Sequence, residues 1–225
     1  QGVVFLIERW AEDNDFDLSS STYFVQGFGN VGSWTARLMK EHRATLLAVE
    51  DASGAIRNSE GLDPDELLAY SSQHGGVSGY PDAEAVDHEA FLATTADIFI
   101  PAALESQLTE ETTPLLNVRL VAEGANGPTT PEGDAVLFEK GIDLLPDVLC
   151  NAGGVIVSYF EWLQNKRAEF WDLEEVDSKL HKMLMSAYSR VHKAAEEYSC
   201  DWRTAAYIVA LKRLRMVYEN RGIFP

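Results

Sequence analysis

The stretch that most constrains this chain is FVQGFGNVGSW, residues 24–34. An apolar run, TYFVQ (22–26), leads into Gly27, Gly29 and Gly32, a G-x-G-x-x-G spacing. Behind the glycines Val31, Trp34, Leu38 and Met39 recur at helical spacing, which predicts a helix from about Asn30 to His42. TLLAVED (45–51) reads as the next strand. Strand, loop, helix and strand fit within about 30 residues, the size of a βαβ unit. In that setting each glycine has a physical task at a dinucleotide site. Gly27 permits a tight turn, Gly29 lets the backbone approach a pyrophosphate, and Gly32 lets helix and strand pack closely. The helix N-terminus offers free N–H groups and a partial positive charge to phosphate. Acid follows at the end of the next strand, where Glu50 or Asp51 would accept a hydrogen bond from a ribose 2′-OH. The same residues also fit a ligand-free βα turn whose glycines serve packing alone.

Strand and helix patterns continue to alternate downstream. Residues 2–13 read as an amphipathic helix. A second helix is predicted over 63–73, started by Asp63 as cap and Pro64 in the first turn. ADIFIPA (96–102) and RLVAEGA (119–125) are apolar runs of the kind buried on both faces of a parallel sheet. A helix near 131–140 and a strand at 142–146 follow. From Asn151 onward the pattern is helical to the end, with Leu180, Met183, Ala187, Val191 and Ala194 predicted to share one face. The expected fold class is α/β, a Rossmann-type doubly wound, mostly parallel sheet with C-terminal helices. It is read as a single dinucleotide-binding domain over residues 1–225. Residues 71–87 are irregular and carry no evident role.

Composition narrows the functions. Asp and Glu number 36 against 18 Lys and Arg, a net charge of -18. Nucleic acid is therefore not an expected partner, because phosphates need a basic face. Two accounts of the acid excess stand, an ordinary acidic enzyme and an adaptation to high salt. No apolar run reaches the roughly 18–20 residues of a membrane span. The first segment, QGVVFLIERWAEDND, has no basic flank or cleavage site, so it is not read as a signal peptide. It opens inside an apolar helix without an initiator Met, which reads as a piece of something longer. Cys150 and Cys200 make no disulfide framework and fit a reducing, cytoplasmic compartment. His42, His74, His88, His181 and His192 show no paired ligand spacing, and no C-x-x-C occurs, so no metal is expected. LKRLR (211–215) is read as a solvated helix face near a C-terminus. Phe160, Trp162, Phe170 and Trp171 are read as core or subunit contacts.

Three further segments turn the loop into a family resemblance. IPAALESQLTEE (100–111), VAEGANGPTTPEGD (121–134) and LPDVLCNAGGVIVSYFEW (145–162) resemble the coenzyme domain of the glutamate/leucine/phenylalanine/valine dehydrogenases. The glutamate branch is nearest, and the resemblance covers nearly the whole chain. It implies an oxidoreductase that uses NAD or NADP and takes L-glutamate to 2-oxoglutarate, as a homo-oligomer, a hexamer when complete. It also implies an N-terminal domain with a catalytic Lys and Asp. No segment here matches that domain, so no catalytic residue is expected in this sequence. The resemblance places the cofactor on the loop residues Gly27, Phe28, Gly29, Asn30, Val31 and Gly32, with Asn30 at the pyrophosphate. Ala102 and Ala103 would line the wall beside it. Asn126 would contact the nicotinamide ribose, Asn151 would hold the carboxamide, and Ser158 would reach the distal carboxylate of glutamate.

Helix geometry is compatible with the last two. If 151–165 is a helix, residues seven apart return to one face, roughly 10 Å apart along the axis. A capping Asn, packing glycines at Gly153 and Gly154 and a Ser bonded back to its own helix fit as well. Ser158 argues for glutamate over an aliphatic substrate, which needs no hydroxyl partner. The acids Glu50 and Asp51 argue for NAD, because they repel a 2′-phosphate. Arg57 is a cation that could fold back to hold one. The alternatives are a leucine, phenylalanine or valine dehydrogenase, and a dinucleotide-binding module without catalysis.

Overall fold

The computed structural model describes residues 1–222. The chain divides into two compact units, Gln1–Gly153 and Gly154–Pro225.

The first unit is built on a seven-stranded sheet. Its elements in chain order are α1 (Gly2–Asp13), β1 (Thr22–Gln26), α2 (Asn30–Glu41), β2 (Thr45–Asp51), β3 (Gly54–Leu62) and α3 (Pro64–His74). Then come β4 (Glu84–Val86), α4 (His88–Leu92), β5 (Ile98–Pro101), β6 (Leu120–Ala122), α5 (Pro131–Glu139), β7 (Asp143–Leu145) and α6 (Asp147–Cys150). The strand order is β4-β3-β2-β1-β5-β6-β7. Strands β2, β1, β5, β6 and β7 run parallel to one another. Strands β3 and β4 extend the sheet antiparallel. This is the α/β, Rossmann-like architecture predicted from the alternating pattern, with an antiparallel edge that the pattern did not give.

The central strand β1 explains the core. Tyr23, Phe24 and Val25 are all inaccessible, as a doubly covered strand requires. Phe24 stacks on Phe99 of β5 with ring centroids 4.4 Å apart and meets Phe91 of α4 edge-on at 5.3 Å. Such a ring contributes about 3–5 kcal/mol by its burial. On the other face Tyr23 donates its hydroxyl to the Ala36 carbonyl at 2.9 Å, tying β1 to α2. Caps set the helix starts. Asp63 accepts from the N–H groups of Asp65 and Glu66 before Pro64 begins α3, and Thr130 accepts from Gly133 before α5.

The second unit is helical, with α7 (Gly153–Arg167) leading into it, then α8 (Leu173–Tyr198) and α9 (Trp202–Arg221). Helix α7 ends at Ala168, where φ is 54°, and Asp172 caps α8 by accepting from Glu175 N. The buried face of α8 is Leu180, Leu184, Tyr188, Val191 and Ala194. Met183, expected on that face, is exposed and Ala187 only half-buried, because the buried stripe runs through Leu184 and Tyr188 instead, Tyr188 meeting Trp202 of α9 edge-on at 4.9 Å. Of the aromatics in this unit Phe160 is buried, whereas Trp162 and Phe170 are exposed. Residues 211–215 lie on an exposed stretch of α9. Among the described residues no helix is long and apolar enough to cross a membrane.

Candidate functional site

Strand order fixes where a ligand can sit. From β1 the chain goes to β2 on one side, and later to β5 on the other, so a crevice opens at the C-terminal ends of these strands. A cavity of about 750 Å³ lies there. Gln26, Gly27, Phe28 and Gly29 line it from β1 and the loop, Glu50 and Asp51 from β2, and Ala102 and Ala103 from the end of β5. Ser71, Gly75 and Gly76 close it from the end of α3. Seven residues named from the sequence therefore meet on one wall system.

The three glycines differ in a way that separates the two readings of the loop. Gly27 has φ +92°, and a Cβ on it would stand 2.7 Å from the Ala102 backbone. It is also held by its own N–H donating to the Glu50 carbonyl at 2.6 Å. A Cβ on Gly32 would collide with the Gly27 carbonyl oxygen. Both glycines are demanded by the chain itself. Gly29 is not. Its φ of -78° suits any residue, and a Cβ there would meet nothing within 4 Å. Its small size keeps open only the space in front of α2. That helix begins with no side-chain cap, so the N–H groups of its first turn keep their hydrogen-bonding capacity and the positive end of the dipole. An open, uncapped helix start fits the pyrophosphate of a dinucleotide. Of the other loop residues, Asn30 and Val31 are exposed and Gly32 is buried.

A second cluster lies next to the loop. A Cβ on Gly124 would meet Val31 Cγ1 at 3.1 Å and Ala102 Cβ at 3.2 Å, so the 124–127 segment runs against the glycine loop. Asn126 and Asn151 are bonded to one another, Asn151 Nδ2 donating to Asn126 Oδ1 at 2.7 Å. Asn151 Nδ2 also donates to the Ala125 carbonyl at 3.2 Å. Glu123, fully buried, underlies them. It accepts from Thr129 Oγ1 at 2.6 Å and from Asp147 N at 2.6 Å. Asp147 in turn accepts from Gly127 N at 2.8 Å. This acidic frame fixes both ends of the segment that carries Asn126 and the short helix that carries Asn151. Its cost falls on Cys150, whose thiol is pushed well up by burial first and then by Glu123 and Asp147.

Three readings change. Asn151 is not in a helix running over 151–165. It ends α6 at φ -96° and ψ 6°, and α7 starts only at Gly153. The helical seven-residue argument therefore does not apply to Asn151 and Ser158. Ser158 lies in the second unit, on α7, exposed, and among the described residues its side chain makes no hydrogen bond back to its own helix. Arg57 does not fold back toward the cavity. Its Nε and Nη2 donate to Glu84 at 2.9 and 2.7 Å across the β3–β4 pair.

The sequence did not point to Gln26, His88 and Gln107, which also line the cavity. Gln26 is 3% exposed, and its Oε1 is buried without a partner, an acceptor left over in the wall. Among the described residues no group of His, Cys, Asp and Glu is placed to hold a metal ion.

Comparison with known proteins agrees with this geometry. The chain is 45% identical over 210 residues to glutamate dehydrogenase of Thermotoga maritima, an alignment covering 93% of this chain and 50% of that protein. It is 42% identical over 213 residues to the NADP-specific glutamate dehydrogenase A1 of Halobacterium salinarum, covering 94% and 51%. The hetero-hexameric glutamate dehydrogenase of Thermus thermophilus, solved in a leucine-bound form, superposes with a TM-score of 0.93 at 30% identity, over 100% of this chain and 53% of that one. The chain thus spans about half the length of the relatives it matches. The family model for Glutamate/Leucine/Phenylalanine/Valine dehydrogenase matches residues 1–222, and the chain belongs to that family of amino acid dehydrogenases.

Proposed function

We propose that this chain is the dinucleotide-binding half of a glutamate dehydrogenase. The complete enzyme converts L-glutamate, NAD(P)+ and water to 2-oxoglutarate, ammonia and NAD(P)H. The observation that carries the reading is Gly29, a glycine that nothing in the chain requires, at an uncapped helix start inside the switch-point cavity. The first turn of α2 takes the pyrophosphate. Glu50 takes the adenosine ribose: it lines the cavity at the end of β2 with only the Gln26 amide and the His88 ring as partners, whereas Asp51 holds the backbone N–H groups of Ser53 and Val77. Asn126 and Asn151, in the arrangement fixed by Glu123, take the ribose and carboxamide at the nicotinamide end. When bound, the nicotinamide accepts the hydride lost from the substrate Cα. This half supplies position; by the resemblance, the groups that move protons are assigned to an N-terminal half of the complete enzyme. Ser158 is assigned the distal carboxylate by resemblance. An acid at the ribose favours NAD, and the complete enzyme is a homo-hexamer.

The test joins this chain to the N-terminal half of a family member and follows NADH absorbance with glutamate and NAD. Glutamate-dependent NADH should form in the joined protein and not with the chain alone. Loss of acid–base groups costs about 10²–10⁴-fold, and loss of substrate positioning adds to that. Turnover by the chain alone, or a joined protein that prefers leucine, would overturn the assignment.

A further inference from the structure

A row of polar side chains crosses the cavity wall beside the proposed ribose position. Gln26 Nε2 donates to Glu50 Oε2 at 2.9 Å and to Gln107 Oε1 at 3.3 Å. On the far side of Glu50, His88 Nδ1 lies 2.8 Å from Oε1 and 3.1 Å from Oε2. His88 opens α4, whose first turn its neighbour Asp87 caps by accepting from Ala90 N. A carboxylate only accepts, so Nδ1 carries the proton of the His88–Glu50 contact. The other ring nitrogen, Nε2, is then an acceptor in the neutral ring and a donor in the charged one. Glu50 itself is largely enclosed, its side chain 15% exposed, while that of His88 is 45% exposed.

We propose that His88 selects between dinucleotides by what they carry at the adenosine 2′ position. The proposal rests on the dinucleotide reading above. With the ring neutral, Glu50 keeps its full charge, accepts from a 2′-OH and repels a 2′-phosphate. With the ring charged, the imidazolium cancels Glu50 and offers Nε2–H to the phosphate. NADP is then admitted at lower pH, while NAD changes little. The charged groups around the ring support this assignment. From β2, Glu50 faces the ring, and Asp51 is tied to Ser53 and Val77. From β3 and β4, Arg57 and Glu84 neutralise each other. On α4 itself Asp87 and Glu89 add negative charge at the helix start. None of these supplies a cation for a 2′-phosphate, and His88, against Glu50 on the cavity wall, is an imidazole that can take up positive charge.

The experiment is a set of calorimetric titrations of the chain with NAD and with NADP between pH 8.5 and 5.5. It uses wild type, His88→Gln and Glu50→Gln. Gln at 88 retains a donor for Glu50 and removes the titration. The 2′-phosphate itself titrates near about pH 6, and that part persists in His88→Gln. Wild-type NADP affinity should rise on acidification by roughly tenfold more than the variant's, the scale of one charge-assisted hydrogen bond. NAD affinity should stay level in both. Glu50→Gln should bind NADP better than wild type at pH 8.5. An NADP-to-NAD ratio with the same pH dependence in wild type and His88→Gln overturns the role of His88. If neither dinucleotide binds the wild type, the site reading itself fails, and that outcome is distinct.

Discussion

Replacing Gly29 by Val separates a cofactor cradle from a structural turn. The backbone there has φ -78°, and a new Cβ meets nothing within 4 Å, so the folded chain accepts a side chain without collision. The cost to folding is the poorer cap, on the order of 1 kcal/mol, since Gly outranks Val at a helix N-cap. For a chain of this size that lowers the melting temperature by about 2–4 °C. The cost to a dinucleotide is different in kind. The branched side chain fills the space before the first turn of α2, and the phosphate loses its hydrogen bonds to the helix N–H groups. Each hydrogen bond to a charged group is worth about 1.5–3 kcal/mol, so one lost contact weakens binding roughly 10- to 150-fold. Gly27→Val is the contrast. With φ +92° and the Ala102 backbone 2.7 Å away, it should lose stability and binding together. Melting curves and NADH titrations on both variants read the difference. A Gly29→Val protein that binds NADH as wild type does would refute the cradle and leave the loop a turn.

Other outcomes follow from the same geometry. Ser158→Ala in the complete enzyme should lose roughly 10- to 150-fold in glutamate efficiency, the worth of one donor to a charged group, with far less effect on norvaline turnover. Equal loss on both substrates, measured by steady-state kinetics, would make Ser158 structural. Burial, Glu123 and Asp147 all raise the Cys150 thiol, so its thiolate forms only at elevated pH. Iodoacetamide at pH 8 should therefore label partly exposed Cys200 first and leave Cys150 intact in the folded protein, as peptide mapping would detect. Fast labelling of Cys150 would contradict the closed frame around Glu123.

Much of the parallel half of the sheet was legible because its signals are local. TYFVQ, the glycine spacing and the Asp63–Pro64 start each depend on neighbours in sequence, and each became the expected element. Strand β3 was missed because Arg57, Asn58, Ser59 and Glu60 make its middle polar. Only Ala55, Ile56 and Leu62 of it are buried. Strand β4 has three residues at the sheet edge, too short for a period to register. Part of the irregular stretch 71–87 has a place at the site: Ser71, Gly75 and Gly76 line the cavity, and just beyond them Val77 N donates to Asp51 and Ser78 N to Ser53. Asn151 looked helical from the apolar run behind it, but Pro146 starts a separate short turn of helix that ends at that residue. Gln26 and His88 carried no local signal. Their partner Glu50 is 24 and 38 residues away, and only the pairing of β1 with β2 and the packing of α4 bring them together.

The central claim is that the cavity at the ends of β1, β2 and β5 binds a nicotinamide dinucleotide. Titration of the purified 225-residue chain with NADH, followed by calorimetry, tests it most directly. The account predicts one saturable site per chain, displaced by NAD and by ADP-ribose, which shares the pyrophosphate and adenosine, and unaffected by glutamate alone. No binding of NADH or NADPH across the pH range, by a chain whose melting curve shows it folded, would contradict it.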